Sequence, residues 1–225
     1  MKSITALALL AFAAACSDST STPPAAKATT IAIDGGLGQS VRVTNTAGTP
    51  LTVLVKDQRG LPMTAAIVKF TTHGSGSFDS PTVYTDSTGI ASVMYTVGTK
   101  AGTDSVFASV EGIATPVVFT VTAKPSDPMQ LQDVGPAQET GTAGTTLPTP
   151  FTIEVVDIFG NAIAGVTVTW TTTDGTLSAT TGTTDENGMA SVLLTLGASP
   201  GTETVTAHVD NVADTTFTAV AVAGT

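Results

Sequence analysis

Beyond about residue 30, apolar and polar positions alternate in steps of two. Phe151, Ile153 and Val155 are separated by Thr152 and Glu154, and Val166, Val168 and Trp170 by Thr167 and Thr169. A period of two sends successive side chains to opposite faces of an extended chain, so each run predicts a strand with one buried face. Turn residues stand between the runs: Gly60-Leu61-Pro62, Thr88-Gly89, Gly160-Asn161, Asp174-Gly175, Asn187-Gly188 and Pro200-Gly201. Such pairs supply the positive φ angles and preset bends of tight hairpins. The chain reads as all-β.

The pattern occurs twice. Leu51–Gly60 is answered by Phe151–Gly160 and Val68-Lys69-Phe70 by Val168-Thr169-Trp170, a hundred residues on. Thr85–Val93 is answered by Thr184–Val192, and Gly36–Gln39 by Gly135–Gln138, ninety-nine on. Ala123–Pro128, with two prolines, reads as a short, stiff linker between tandem copies. About seven short strands in roughly 90 to 100 residues fit an immunoglobulin-like β-sandwich for each copy. The boundaries read from this pattern are 31–124 for the first domain and 125–225 for the second. A single cysteine leaves no intersheet disulfide, so each copy must rest on apolar burial around one aromatic, Phe70 or Trp170.

Composition narrows the function. A fifth of the residues are Thr, which is β-branched and suits a strand while turning a hydroxyl to water on the exposed face. With 12% charged residues and 41% hydrophobic ones, the chain is neither disordered nor a coiled coil. Eight basic against 18 acidic residues give a formal charge of -10, the wrong sign for nucleic acid, which is excluded as a partner.

The N-terminus reads as a secretory signal. Lys2 precedes an apolar run from Ile4 to Ala15, too short against the roughly 20 residues of a membrane-crossing helix. Cys16 follows Ala13-Ala14-Ala15 directly, and this stretch resembles a bacterial lipoprotein signal with Ala13 where Leu is usual. The resemblance implies cleavage after residue 15 and acylation of Cys16, which would tie the protein to a membrane by a lipid anchor. Ser17, in place of the Asp that keeps such proteins on the inner membrane, points to the outer membrane or cell surface. Residues 16–30 are then the lipidated cysteine and a Ser/Thr/Pro tether, whose 14 residues after Cys16 span on the order of 20 Å.

The order of elements resembles the bacterial immunoglobulin-like group 1 domain, the repeat of invasin and intimin. An apolar strand leads to Asp157–Gly160, then Val166–Trp170, Thr184–Val192 and Gly201–Ala207. Asp57–Gly60, Val68–Phe70, Thr85–Val93 and Gly102–Ala108 hold those places in the first copy. The resemblance covers residues 31 to 222 and implies a stalk that carries an adhesive surface from the cell, with an extracellular protein or glycan as partner class. Neither a β-barrel nor a lectin-like tip is expected with it, so attachment is expected through the lipid and contact through the sandwich surfaces or loops.

Candidate chemistry is sparse. His73 and His208 stand at non-equivalent positions without a second histidine or cysteine nearby, so no metal is expected. No Gly-x-Ser-x-Gly elbow or triad stands out, and no catalytic residue or cofactor is assigned. Asp86 and Asp185 each precede a glycine by three residues. One carboxylate per loop is too few for calcium, so both are expected to bond their own turns. Ile158 and Phe159, where the first copy has Gln58 and Arg59, are expected to pack on the domain end or the neighbouring module, and Trp170 belongs to the core. The leading expectation is a non-catalytic, lipid-anchored surface protein acting as stalk or adhesion module. The alternative is a glycan- or small-ligand-binding module accessory to another protein.

Overall fold

The computed structural model describes residues 24–224. The first copy comprises β1 (Ala28–Gly35), β2 (Gln39–Arg42), β3 (Leu51–Asp57), β4 (Ile67–Thr72), β5 (Ser77–Phe78), β6 (Thr82–Tyr84), β7 (Ile90–Val93), β8 (Tyr95–Thr96), β9 (Gly102–Val110) and β10 (Val117–Lys124). The second comprises β11 (Gln130–Asp133), β12 (Gln138–Thr142), β13 (Phe151–Val156), β14 (Thr167–Thr172) and β15 (Thr176–Leu177). It continues with β16 (Thr181–Thr183), β17 (Met189–Val192), β18 (Leu194–Thr195), β19 (Gly201–His208) and β20 (Thr215–Val222). No helix occurs among the described residues, so none is long and apolar enough to cross a membrane. β1 starts at Ala28, which brings the last residues assigned to the tether into the first sheet.

Each copy closes a three-stranded sheet over a five-stranded one, in the same order. The sheets run β1-β3-β7 and β2-β10-β9-β4-β6, then β11-β13-β17 and β12-β20-β19-β14-β16. β2 runs parallel to β10 and β12 to β20, and the other pairs are antiparallel. A two-stranded ribbon, β5-β8 or β15-β18, completes each copy. These ribbons and the short β6 and β16 raise the strand number per copy to ten, above the seven that the alternation alone gives.

The alternation becomes burial. On β14, Val168 and Trp170 are buried while Thr167, Thr169 and Thr171 are exposed. Trp170 is 1% exposed and lies near Phe217, ring centroids 6.3 Å apart, with Phe217 5.0 Å from Phe151. Phe70 and Phe119 are buried in the first core. The fold's turns use their glycines: Gly89, at φ 78°, approaches the Val55 carbonyl so closely that a Cβ would lie 2.8 Å from it. Only glycine fits that bend.

Cross-strand register corrects one step of the repeat. Gln39 pairs with Val121, opposite Asp104, and Glu139 pairs with Ala219, opposite Glu203. Asp104 and Glu203 occupy equivalent places, so Gln39 corresponds to Glu139 and not to Gln138. The short segment before β12 carries one more residue than its counterpart, and the sheet rather than the glycine pattern sets the phase.

Candidate functional site

In a tandem of sandwiches the joint between modules decides whether the chain is a rod or a string. At this joint a five-residue turn, Asp157 to Asn161, stands at the end of β13. Asp157 closes it: Oδ1 accepts from the N–H groups of Phe159 at 2.8 Å and Asn161 at 2.9 Å. Oδ2 accepts from Asn161 Nδ2 and from the backbone N–H of Ser126 in the linker, both at 2.9 Å. Asn161 then reaches the first module. Its Nδ2 donates to the Thr99 carbonyl and its Oδ1 accepts from the Ala101 N–H, both at 2.8 Å. On the other side of the linker, Arg42 of β2 grips Asp127 through two guanidinium nitrogens at 2.6 and 2.8 Å. The linker is therefore tied to both modules, and one asparagine bridges them directly.

The equivalent turn of the first module is closed from within. Asp57 accepts from the N–H groups of Arg59 and Leu61, and its other oxygen takes Nε and Nη2 of Arg59. The Arg59 guanidinium, against the opposing effect of burial, holds the Asp57 carboxyl below its usual range. At Asp157, burial pushes the carboxyl up, and the bonds from Asn161, Ser126 and Phe159 outweigh it, leaving the group below its usual range. The repeat thus exchanges an internal arginine for a linker serine and a bridging asparagine.

The sequence-predicted residues fall as follows. Asp86 and Asp185 each bond their own turn: Asp86 Oδ1 accepts from Thr88 N and Ile90 N, and Asp185 Oδ1 from Asn187 N and Met189 N. His73 lies against Phe107, ring centroids 4.6 Å apart and planes tilted by 50°. His208 bonds Asp214 through Nδ1 at 2.7 Å and lies 3.5 Å from Asp210; the neighbouring Asp214 carboxylate raises its pKa above 6.5. Ile158 is 67% and Phe159 46% exposed, and the hydrogen bonds to the neighbouring module come from Asn161. Among the described residues no group of three or more His, Cys, Asp or Glu is arranged to hold a metal. Cys16 lies outside the described residues.

Comparison with known proteins agrees with this architecture. Residues 133–222 match the family model of the bacterial Ig-like domain (group 1). The match lies within the second module, and the first module repeats that module's strand order. InvD of Yersinia pseudotuberculosis is similar to the chain at 17% identity, with 82% of this chain and 55% of that one covered and a TM-score of 0.52. The Escherichia coli adhesin FdeC is similar at 20% identity over 87% of this chain and 65% of that one, TM-score 0.46. The D0-D1 domains of intimin are similar at 20% identity over 84% and 98%, TM-score 0.35. No curated protein sequence matches the chain.

Proposed function

We propose that the protein is a lipid-anchored stalk or adhesion module of a bacterial surface, held to the outer membrane through acylated Cys16 and without chemistry of its own. The observation that carries the stalk reading is the joint: Asn161 bonded to Thr99 and Ala101, with the linker held by Arg42 and Asp157, supports two modules moving as one rod. A rod transmits position from the tether to a surface some distance away, which a loosely hinged pair does not. Similarity to the bacterial Ig-like family, and to the adhesin FdeC, supports a surface location. The glycan-binding alternative draws on exposed aromatics, and Tyr84 and Phe159 lie on different modules and share no platform.

The test is intact mass and membrane fractionation in a diderm host, wild type beside Cys16→Ser. The proposal expects a chain that begins at Cys16, heavier by its acyl chains and found with the outer membrane only when Cys16 is present. An unacylated wild-type chain in the periplasm or medium overturns it.

A further inference from the structure

Every Lys and Arg of the chain precedes residue 125, whereas residues 125–225 hold eleven Asp and Glu. Residues 31–124 balance six acids with six bases. An acid buried in the second module therefore has no lysine or arginine of its own module to neutralise it.

One such acid is Glu203 on β19, 2% exposed. Its Oε1 accepts from the Gly197 N–H at 2.8 Å, and its Oε2 is buried without a hydrogen-bond partner. Leaving a buried carboxyl oxygen without a partner is costly unless something else meets it. Oε2 points at the backbone of Gly175, where an added Cβ would lie 2.9 Å away. The preceding residue is Asp174, exposed, whose Oδ1 accepts from the Gly175 N–H at 2.8 Å and whose carboxylate also lies against Gly197. The two carboxylates therefore meet the same pair of glycines, Gly175 and Gly197.

The first module solves the same place differently. Asp104, the counterpart of Glu203, accepts a hydrogen bond from the Tyr95 hydroxyl at 2.7 Å, and Ser75 stands against Gly98 where Asp174 stands against Gly197. The second module replaces Tyr95 by Leu194 and Ser75 by Asp174, so the donor is lost and a carboxylate is gained. Both changes move the site toward a cation that comes from outside.

We propose that Glu203 Oε2 and the Asp174 carboxylate form a binding site for a divalent cation of the calcium class on the second module. Calcium takes six to eight oxygens, and a site with two carboxylates leaves the remainder to water and backbone carbonyls. The expected affinity is that of extracellular modules, a Kd of about 10⁻⁴ to 10⁻³ M.

The experiment is calorimetric titration of the full chain with calcium chloride, beside Asp174→Asn and Glu203→Gln. Thermal melting is followed by fluorescence of Trp170, the one tryptophan, which lies in the second core. One saturable site per chain is expected, weakened at least tenfold by each substitution, with calcium raising the melting temperature of the second module in wild type only. Asp174 is on the surface, so its variant tests the site even if Glu203→Gln does not fold. No saturable binding up to about 10 mM, ten times the weak end of that range, overturns the proposal. So does binding that persists unchanged in Asp174→Asn, or a Glu203→Gln chain that melts higher than wild type regardless of calcium. Membrane attachment, tested through Cys16, is independent of every one of these outcomes.

Discussion

At the residue scale the two modules differ most in how they treat buried polar atoms. In the first, the Tyr95 hydroxyl lies between Asp104 Oδ2 at 2.7 Å and Thr72 Oγ1 at 3.1 Å. Burial, and then the Asp104 carboxylate, push the hydroxyl's pKa up to about 12. Tyr95→Phe keeps the ring and removes the donor, leaving a buried carboxylate short of one bond. It should cost about 1.5 to 3 kcal/mol, the value of a hydrogen bond to a charged group, in urea unfolding of the first module. The raised pKa fixes the sign of a second effect. The hydroxyl's stabilisation is complete below the free value of 10.0 and is lost as pH climbs from there toward 12, so wild type should weaken in that window and Tyr95→Phe should not.

At the scale of the element, the strand's inner face sets the energetics and its outer face sets solubility. On β14 the inner pair is Val168 and Trp170, answered on β4 by Val68 and Phe70. The Trp170 Nε1–H is buried without a partner, so the larger ring brings an unmet donor that Phe70 does not. Trp170→Ala should cost about 3 to 5 kcal/mol, the range for emptying a large aromatic site. Trp170→Phe, which restores the first module's solution and removes the unmet donor, should cost less than about 1.5 kcal/mol. Chemical denaturation of the two variants, followed by circular dichroism, gives both numbers. A loss below 1 kcal/mol for the alanine variant would place the indole on the outer face.

For the whole molecule, behaviour rests on a few bonds at the joint. Asn161→Ala removes both bonds to the first module and one to Asp157 while leaving each core untouched. Residual dipolar couplings should then require separate alignment tensors for the two modules, where wild type needs one, and small-angle scattering should show a broader distribution of lengths. Acid should act through the same turn. The Asp157 carboxyl sits below its ordinary 3.8, so its contribution is present above that pH and is lost as pH falls through the depressed value. A single shared tensor for Asn161→Ala would show that the linker alone, through Arg42 and Asp127, holds the modules in line.

Much of this was legible in the chain. Alternation at a period of two, punctuated by Gly, Asn, Asp and Pro, determines the strands, because a pleated strand with one wet face admits few other patterns. The repeat determines that the sandwich is built twice, and Asp86 and Asp185 signal their turns because an Asx bond is local. What tertiary structure alone decided lies in contacts between distant positions. Asn161 meets Thr99 and Ala101 some sixty residues away, a distance across which no local pattern carries information. Ile158 and Phe159 have the composition of a contact, yet the hydrogen bonds to the neighbour are made by Asn161 of the same turn. Glu203 shows the same limit. One glutamate in a strand reads as a surface residue until the sheets close over it and leave an oxygen facing a glycine.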